Sequence, residues 1–316
     1  MSGGSSGRKD HLISLESDQT DIEEPGLFEP RRIAFIESIA DLRPRMHRYC
    51  ARMTGSSLDG EDLMQEAIFE AYLKLGSFDA TRPLGPWLLR IAHNRCIDFL
   101  RRRQGRREVE AEAATNASIH PSEAVGRGVD RAIERLVIAL PPKERACVLL
   151  KDVFDYSLEE IAALVESTTG GVKAALTRGR AKLATLTDVQ RPERKASKEE
   201  LALLRLYVDR FNRRDWHGVR ELASADARLT VADCFAGRLA DSPYFIEYEH
   251  PIIAWRMALG EADGETVVVI QRDDAEGQVP FSAIRIGFAG DRIASITDYI
   301  KCSWILETAS IVLHQG

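Results

Sequence analysis

The segment 87–103 carries side chains suited to binding phosphates. Its polar positions recur at helical spacing beside an apolar stripe, and they are Arg90, Asn94, Arg95, Asp98 and Arg101 to Arg103. Guanidinium groups at this density neutralise phosphates, while an asparagine and a loop aromatic can hydrogen-bond to or stack on unpaired bases. The sequence therefore predicts a helix that binds nucleic acid.

Two His-x-x-Cys pairs in the same half of the chain could form a metal site. They are His47 with Cys50 and His93 with Cys96, and the members of each pair lie about one helical turn apart. Zinc would require two helices to bring all four side chains together. Buried thiols beside half-exposed imidazoles explain the same residues without a metal, so we expect no metal and no cofactor.

A helix predicted from about Gly60 to Leu75 has a second face beside its apolar stripe. That face carries side chains spaced three and four apart, and they are Asp62, Gln65, Glu66 and Phe69. An exposed aromatic among polar groups indicates a surface that docks another protein. Taken alone, Phe69 is about as well explained as a core residue.

Residues 156–186 have the pattern of a helix-turn-helix. Ser157 and Glu160 have the spacing of a capping box at the start of a short helix, and residues 167–171 are predicted to form a turn. The helix after it has an apolar stripe at Val172, Leu176 and Leu183, with basic side chains on its other side. The second helix of such a motif enters a DNA major groove. The alternative is a helical hairpin with a solvated charged face.

Charge is unevenly distributed along the 316 residues, whose formal net charge is −6. Residues 31–107 carry a net charge of +6, whereas residues 1–30 carry −5 and residues 198–316 carry −6. This asymmetry predicts nucleic-acid contact by only part of the chain. The five cysteines include no CxxC pair and no apolar run is long enough for a bilayer, so we expect a reduced, cytoplasmic protein without a membrane partner.

Composition and periodicity divide the chain into six parts. The predicted parts are a disordered tail at 1–26, a helical domain at 27–107, a flexible tether at 108–128, a helix-turn-helix domain at 129–187, a linker at 188–197 and a third domain at 198–316. In the third domain, helical patterns come first and strand-like runs separated by turns follow. This order favours an α+β fold after two all-α domains.

Two of these patterns resemble the extracytoplasmic-function (group 4) bacterial sigma factors. The motif at 62–66, the run 87–98 and the arginines after it resemble region 2, and Leu140-Pro-Pro-Lys-Glu-Arg145 with the helix-turn-helix resembles region 4. The sequence departs from the family at Thr177-Arg-Gly-Arg180, where His-Arg-Ala-Arg is usual, and at Gly171, where threonine is common.

The resemblance implies a partner for each surface. Region 2 would dock on the clamp helices of the largest subunit of core RNA polymerase through Asp62, Gln65, Glu66 and Phe69. The minus-ten promoter element would meet Phe78, Arg82, Trp87, Arg90, Asn94 and Asp98. Region 4 would bind the flap of the second-largest subunit, and it would bind the minus-thirty-five element through Thr168, Lys173, Thr177, Arg178 and Arg180.

The third domain resembles the SnoaL-like domains of the nuclear-transport-factor-2-like superfamily, in the run 206–216 and the pattern 290–299. These domains have a cone-like curved sheet around a pocket. Some members are enzymes that use a buried Asp, His or Tyr, which makes Asp233, Tyr244, His250 and Asp298 the candidates for a general base here. Because a fold alone does not imply chemistry, they are better explained as surface or core polar residues of a domain that binds an unknown small ligand or regulator.

Three functions from different classes remain. The first is an alternative sigma factor, not an enzyme, that initiates transcription while its C-terminal domain packs on the sigma domains and regulates them in cis. The second is a pocket enzyme or ligand sensor fused to a DNA-binding regulator. The third is a helix-turn-helix repressor, which has no use for the docking face at Asp62, Gln65 and Glu66.

Overall fold

A computed structural model of the protein describes residues 30–113, 138–185, 194–232, 234–249, 254–274 and 277–314. The tail at 1–26, most of the predicted tether and residues 129–137 of the predicted helix-turn-helix domain lie outside these ranges. Within them, helices occupy the first part of the chain and a seven-stranded sheet dominates the last. The predicted order of two helical domains and an α+β domain is confirmed.

Three long helices form the first domain: α1 (Pro30–Thr54), α2 (Ser57–Leu73) and α3 (Leu84–Ala113). Ser56 begins α2 by accepting a hydrogen bond from the Asp59 amide at 3.1 Å. The turn between α1 and α2 contains Gly55 at a φ of 81°, the left-handed conformation that commonly ends a helix. The domain packs around α1 residues such as Met53, which is fully buried.

The third helix is longer than predicted at both ends. Residues 84–86 were expected to belong to a loop, but Pro86 falls in the first turn of α3, where a missing amide proton leaves no helical hydrogen bond unmade. At the other end, 108–113 was assigned to a flexible tether and is helical. Alanine and glutamate dominate this stretch, and both are strong helix formers.

The second domain contains α4 (Pro142–Val148), a π-helical turn at Leu149–Val153, α5 (Leu158–Leu164) and α6 (Thr169–Thr185). The capping box of Ser157 and Glu160 is confirmed, with both reciprocal hydrogen bonds present. The predicted turn was placed too late. Gly170 and Gly171 lie in the first turn of α6, and Glu166, with a φ of 51°, makes the reversal instead.

The two helical domains are joined by hydrogen bonds from one buried guanidinium group, that of Arg145. Arg145, which is 6% exposed, donates to the carbonyl oxygens of Met53 at the end of α1 and of Ile138 and Leu140 in its own domain. Carbonyls at a helix C-terminus attract cations. Burial lowers the pKa of Arg145 to about 10, so this side chain stays charged while it joins the domains.

The third domain begins with α7 (Lys198–Asn212) and α8 (Trp216–Glu221) and continues with β1 (Ala223–Val231) and β2 (Phe235–Arg238). Helix α9 (Tyr244–Glu249) precedes β3 (Trp255–Ala262), β4 (Glu265–Asp274), β5 (Gly277–Ala289) and β6 (Arg292–Asp298), and α10 (Ile305–Thr308) precedes β7 (Ile311–Leu313). The strand order is β2-β1-β6-β5-β4-β3-β7, with β1 and β6 parallel and the other neighbours antiparallel.

Both faces of the sheet are buried at its centre. Side chains alternate along β4, so Val268 and Ile270 join the domain's own core beneath α7 and α9, while Val267 and Val269 face the other way. On that second face they pack with Leu58 of α2, which is only 1% exposed. The outer face of the C-terminal sheet is therefore covered by the start of α2 together with the domain's own Tyr299, Cys302 and Ile305.

Several elements of the C-terminal domain were missed by the sequence analysis. Strands β2 and β7 have four and three residues, and α9 and α10 have six and four, too few to show a period. The predicted linker at 188–197 is also partly wrong. Arg194 pairs with β4 through backbone hydrogen bonds to Gly264 and Thr266, and Ser197 caps α7, so residues 194–197 belong to the domain.

We predict that Gly60→Ala destabilises the first domain. A Cβ atom at Gly60 would lie 2.4 Å from the backbone nitrogen of Ala51, so α1 and α2 would have to separate. Overpacking of this kind costs about 1–3 kcal/mol, and the thermal unfolding midpoint should fall by several degrees. Gly76→Ala is the matched control, since a Cβ atom there meets nothing within 4 Å. Equal midpoints for both variants would contradict the close packing.

Candidate functional site

The first turns of α2 are embedded in the C-terminal domain. Asp263, at the tip of the β3–β4 hairpin, accepts a hydrogen bond from the backbone amide of Ser57 at 2.8 Å and another from Ser310 at 3.0 Å. The first amides of a helix have no partner within that helix, so Asp263 caps α2 from another domain. Asp263 and Gly264 have φ values of 55° and 85°, which suits a tight two-residue hairpin turn.

Arg285 of β5 binds the predicted docking face directly. Its guanidinium donates to Asp62 at 2.7 Å and to Asp59 at 2.8 Å, both on α2, and to both carboxylate oxygens of Glu265 on β4. The hydroxyl of Tyr299 donates to the other oxygen of Asp62 at 2.9 Å. One arginine, 15% exposed in its side chain, thus joins carboxylates of two domains.

A second cluster surrounds Glu61, the residue immediately before Asp62 on α2. This fully buried carboxylate lies 2.9 Å from Nδ1 of His47 and accepts hydrogen bonds from Trp304 Nε1 at 2.7 Å and Gln65 Nε2 at 2.9 Å. The thiol of Cys302 donates to it at 3.2 Å. Burial by itself raises the pKa of Glu61, but these partners hold it below its usual value.

The covered face disfavours the ionised form of Asp62, whose pKa is raised, but not that of Glu61, whose pKa is lowered. Partial burial beneath the C-terminal domain raises the pKa of Asp62 to about 6, although Arg285 and Tyr299 oppose the shift. Its side chain keeps 41% of its exposure. Desolvation of a carboxylate offsets much of the stability that its ion pair contributes. This contact therefore fixes the relative position of the two domains but still allows them to separate.

The other half of the docking face is open. Phe69 is 63% exposed and Leu73, one turn further along α2, is 67% exposed. Glu66 is exposed as well and lies 3.7 Å from Arg95 of α3. The structure therefore brings the four predicted docking residues onto one helix but divides them, with Asp62 and Gln65 beside the C-terminal domain and Glu66 and Phe69 facing solvent.

The predicted minus-ten residues surround the start of α3. The rings of Phe78 and Trp87 stack with their centroids 4.7 Å apart, while Arg82, Asn94 and Asp98 are exposed. Arg90 is exposed as well, and it donates to Glu166 of the second domain at 2.7 Å. The arginine-rich helix is thus tied to the helix-turn-helix at one of its central positions.

The predicted minus-thirty-five residues lie on or just before α6. Thr168, Lys173, Thr177, Arg178 and Arg180 are all exposed. The Thr177 hydroxyl donates to the backbone of Lys173 at 3.0 Å. Arg178 and Arg180 pair with acidic residues that precede them in the same domain. The side of α6 opposite these residues is buried at Val172, Leu176 and Gly179.

Comparison with known proteins identifies the family. Residues 39–106 match the model of the Sigma-70 region 2 family, and residues 130–183 match that of Sigma-70, region 4. ECF RNA polymerase sigma factor SigG of Mycobacterium tuberculosis is 31% identical over 306 residues, which cover 86% of this chain and 82% of that protein. This chain is an extracytoplasmic-function sigma factor. As an alternative sigma factor it initiates transcription.

Two solved structures are similar to this sigma factor in fold. The extracytoplasmic function sigma factor SigJ of Mycobacterium tuberculosis is 17% identical, with a TM-score of 0.34, over 83% of this chain and 95% of that one. An NTF2-like protein of unknown function from Burkholderia pseudomallei is 18% identical, with a TM-score of 0.27, over 33% of this chain and 91% of that one. The helices and the seven-stranded sheet of the C-terminal part form an α+β domain, as the SnoaL-like resemblance implied.

The interior of the sigma factor's C-terminal domain brings together two of the four predicted pocket residues. Asp298, fully buried, accepts hydrogen bonds from Tyr244 at 2.8 Å and from Tyr248 at 2.5 Å. Burial raises the pKa of Asp298, and the two tyrosine hydroxyls oppose the shift. Asp233 and His250 lie outside the described residues. The ring of Phe211 lies 5.1 Å from that of Tyr248, so aromatic side chains pack this interior.

The His-x-x-Cys residues serve the packing of the sigma factor's first domain. His47 contacts Glu61 and the hydroxyl of Thr308, the latter at 2.8 Å, while His93 contacts the Tyr49 hydroxyl, also at 2.8 Å. Burial lowers the pKa of His93 to about 4, which keeps this imidazole neutral at physiological pH. In the part of the sigma factor that the structure describes, no group of three or more His, Cys, Asp or Glu side chains is arranged so that it could hold a metal ion. None of the helices in the described ranges is long and apolar enough to cross a membrane.

Sequence reasoning missed the residues that cover α2. Arg285, Tyr299 and Trp304 come from the C-terminal domain and were assigned no role, and Asp263 was read only as part of a turn. One signal was available in Val267-Val-Val-Ile270, an uninterrupted apolar run in a strand of an antiparallel sheet. Such a strand is buried on both faces, which implies a second partner for the sheet.

We predict that Arg285→Ala loosens the contact between α2 and the C-terminal domain. Unpaired carboxylates at such a contact cost about 1–3 kcal/mol, so amide exchange across residues 57–62 and alkylation of Cys302 should both accelerate. Cys234 is exposed and supplies the internal reference rate. Arg272→Ala removes an arginine that lies over Phe281 of the same sheet and should change neither rate. Unchanged protection in Arg285→Ala would contradict the assigned contact.

A pair of tyrosine variants tests the hydrogen bonds around Asp298. The Tyr207 hydroxyl is buried near Tyr244 and makes no hydrogen bond with any of the described residues. We expect Tyr207→Phe to leave the unfolding midpoint unchanged or higher, because it removes a desolvated and unpaired hydroxyl. Tyr248→Phe removes a donor to the carboxyl and should lower the midpoint, at a cost of about 1–3 kcal/mol. The reverse ranking would contradict this hydrogen-bond assignment.

Proposed function

We propose that the C-terminal domain restrains this sigma factor by occupying the part of region 2 that binds core RNA polymerase. The supporting observation is the pairing of Arg285 with Asp59 and Asp62, at 2.8 and 2.7 Å. Asp62 is a residue that the family resemblance assigns to the clamp helices of the largest subunit. The same carboxylate cannot pair with Arg285 and with a polymerase side chain in one geometry, so docking and polymerase binding compete.

Polymerase binding then proceeds from the open end of α2. Phe69 and Glu66 are exposed while Asp62 and Gln65 adjoin Arg285 and Cys302. An encounter on the open half requires no displacement of the C-terminal domain, and exposed aromatics are frequent anchors of interfaces. Full engagement of the clamp helices requires release of Asp62, which the unfavourable desolvation of its carboxylate facilitates. Both steps take place in the cytoplasm, with region 4 on the flap of the second-largest subunit.

Promoter recognition is assigned to two surfaces. The exposed residues at the start of α3 bind the minus-ten element, where Phe78 and Trp87 offer a stacking platform for unpaired bases. Capture of such bases offsets the unstacking cost of a few kcal/mol per step. The exposed side of α6, with Lys173, Arg178 and Arg180, binds the minus-thirty-five element in the major groove.

The described arrangement is a closed state of these surfaces. Arg90, assigned to the minus-ten element, is held by Glu166 of region 4 at 2.7 Å, and Arg145 of region 4 is buried against the end of α1. Both contacts bring region 4 against region 2. The two promoter elements lie far apart along the duplex, so region 4 must leave region 2 before both elements can be bound together.

A signal that opens this state must bind the open form more tightly than the closed form. Core polymerase satisfies this condition, because it needs the face that Arg285 covers. An unknown small ligand or protein at the C-terminal domain is the second route.

We expect Arg285→Glu to raise run-off transcription by this sigma factor at limiting core polymerase. The reversed charge repels Asp59 and Asp62, and a shift of 1–3 kcal/mol toward the open state corresponds to roughly 5–150-fold in the equilibrium. The measurement is single-round transcription from a promoter selected from a library, together with affinity for core polymerase. In the Arg285→Glu background, where the closing contact is already lost, Asp62→Asn should weaken polymerase binding.

The matched control is Arg272→Glu, which makes the same charge change on β4 of the same sheet. It should leave transcription at the wild-type level. Equal output from wild type, Arg285→Glu and Arg272→Glu would refute competition at α2. If Arg285→Glu with Asp62→Asn bound polymerase as tightly as Arg285→Glu alone, the assignment of Asp62 to the clamp helices would be wrong as well.

A further inference from the structure

The recognition helix α6 approaches α4 unusually closely at Gly179. A Cβ atom at this position would lie 2.9 Å from Cγ2 of Val148 and 3.5 Å from Cβ of Glu144. Real Cβ atoms essentially never approach another heavy atom this closely, so a larger residue would require the Val148 side chain or the helices to shift. Gly179 is one of the departures from the usual family pattern, and the packing of α6 on α4 gives it a physical reason.

This close approach sets up two arginine–carboxylate pairs on opposite flanks of α6. Arg178 donates through Nε to Glu144 of α4 at 2.8 Å. Arg180 donates through Nε, at 3.1 Å, and through Nη2 to the carboxylate of Asp152 in the π-helical turn. The Glu144 side chain is 13% exposed and that of Arg178 is 60% exposed, so the carboxylate is anchored while the guanidinium reaches outward.

We propose that Glu144 and Asp152 are positioning residues that orient Arg178 and Arg180 for reading DNA. Each carboxylate binds its arginine on the Nε side, which leaves the edge formed by the two terminal nitrogens directed to solvent. That edge is the one with which arginine contacts O6 and N7 of guanine. A guanidinium already held in place loses less side-chain freedom on binding. The proposal rests on the assignment of Arg178 and Arg180 to the minus-thirty-five element.

Both pairs lie within region 4, unlike the contact of Arg90 with Glu166. Glu144 and Asp152 belong to the same domain as α6. The close packing at Gly179 places α6 next to α4 where Arg178 pairs with Glu144. The pairs therefore persist when region 4 separates from region 2. They preorganise the arginines in the open, promoter-bound form, where the closed-state contacts are absent.

Because both carboxylates are negatively charged, their removal should affect sequence preference and affinity for unrelated DNA differently. A carboxylate beside a DNA-binding surface repels phosphates and weakens binding to every sequence alike. Its removal should therefore preserve or raise affinity for unrelated duplexes, while the freed arginine loses preference for its base. A carboxylate that only stabilised the fold would, on removal, weaken binding to preferred and unrelated duplexes together.

The test uses the full chain bound to core RNA polymerase at saturating concentration, with duplexes that carry a randomised minus-thirty-five segment as the probe. The selected duplex is then compared with each single-base variant. We expect Glu144→Ala to lower the preference at one or two base pairs by about tenfold, within the range that a single arginine fork supplies. Binding to unrelated duplexes should be unchanged or tighter. Glu144→Gln, which keeps an acceptor for Nε, should retain part of the preference.

Two reference variants separate the possible outcomes. Glu159→Ala removes the same charge from the first turn of α5 and should keep the full preference. Arg178→Ala should lose preference at the same base pairs as Glu144→Ala. If Arg178→Ala keeps the preference, the assignment of this arginine to DNA fails. If Arg178→Ala loses it and Glu144→Ala either keeps it or weakens all sequences equally, the positioning role is overturned while the assignment of Arg178 stands.

Discussion

Three carboxylates gather around the guanidinium of Arg285: Asp59 and Asp62 from α2 and Glu265 from β4. Without the arginine they would repel one another across the domain boundary, and the contact of α2 with the sheet would be weakened. With it, the first turns of α2 are fixed and Leu58 is inserted among Val267 and Val269. The position of the C-terminal domain, and hence the half of α2 that stays exposed, depends on this shared ion pair.

Arginine serves two purposes in this sigma factor. On α3 and α6 its proposed role is to present positive charge to DNA, whereas Arg90 and Arg145 hold the domains together through Glu166 and through backbone carbonyls. A guanidinium stays charged even where burial lowers its pKa, as at Arg145. One residue type can therefore maintain a closed form and, after rearrangement, bind nucleic acid in the open form.

Local patterns in the sequence predicted the elements that are long and periodic. The stripe on α2, the capping box at Ser157 and the apolar side of α6 all follow from spacing within one helix, and two family motifs gave regions 2 and 4. The contacts of Asp62 with Arg285 and Tyr299 could not be predicted in the same way, because they join residues 223 and 237 positions apart. No periodicity within one element specifies which carboxylate an arginine in a distant strand will meet.

The distance along the chain between the two halves of this contact affects the protein during its synthesis. Regions 2 and 4 leave the ribosome before β4 and β5 exist, since Arg285 follows Asp62 by 223 residues. At typical rates of translation this interval is on the order of tens of seconds. Every nascent chain therefore passes through a period in which α2 is complete and uncovered. The rate of translation through residues 198–316 thus sets how long a newly made sigma factor can meet polymerase before its own C-terminal domain does.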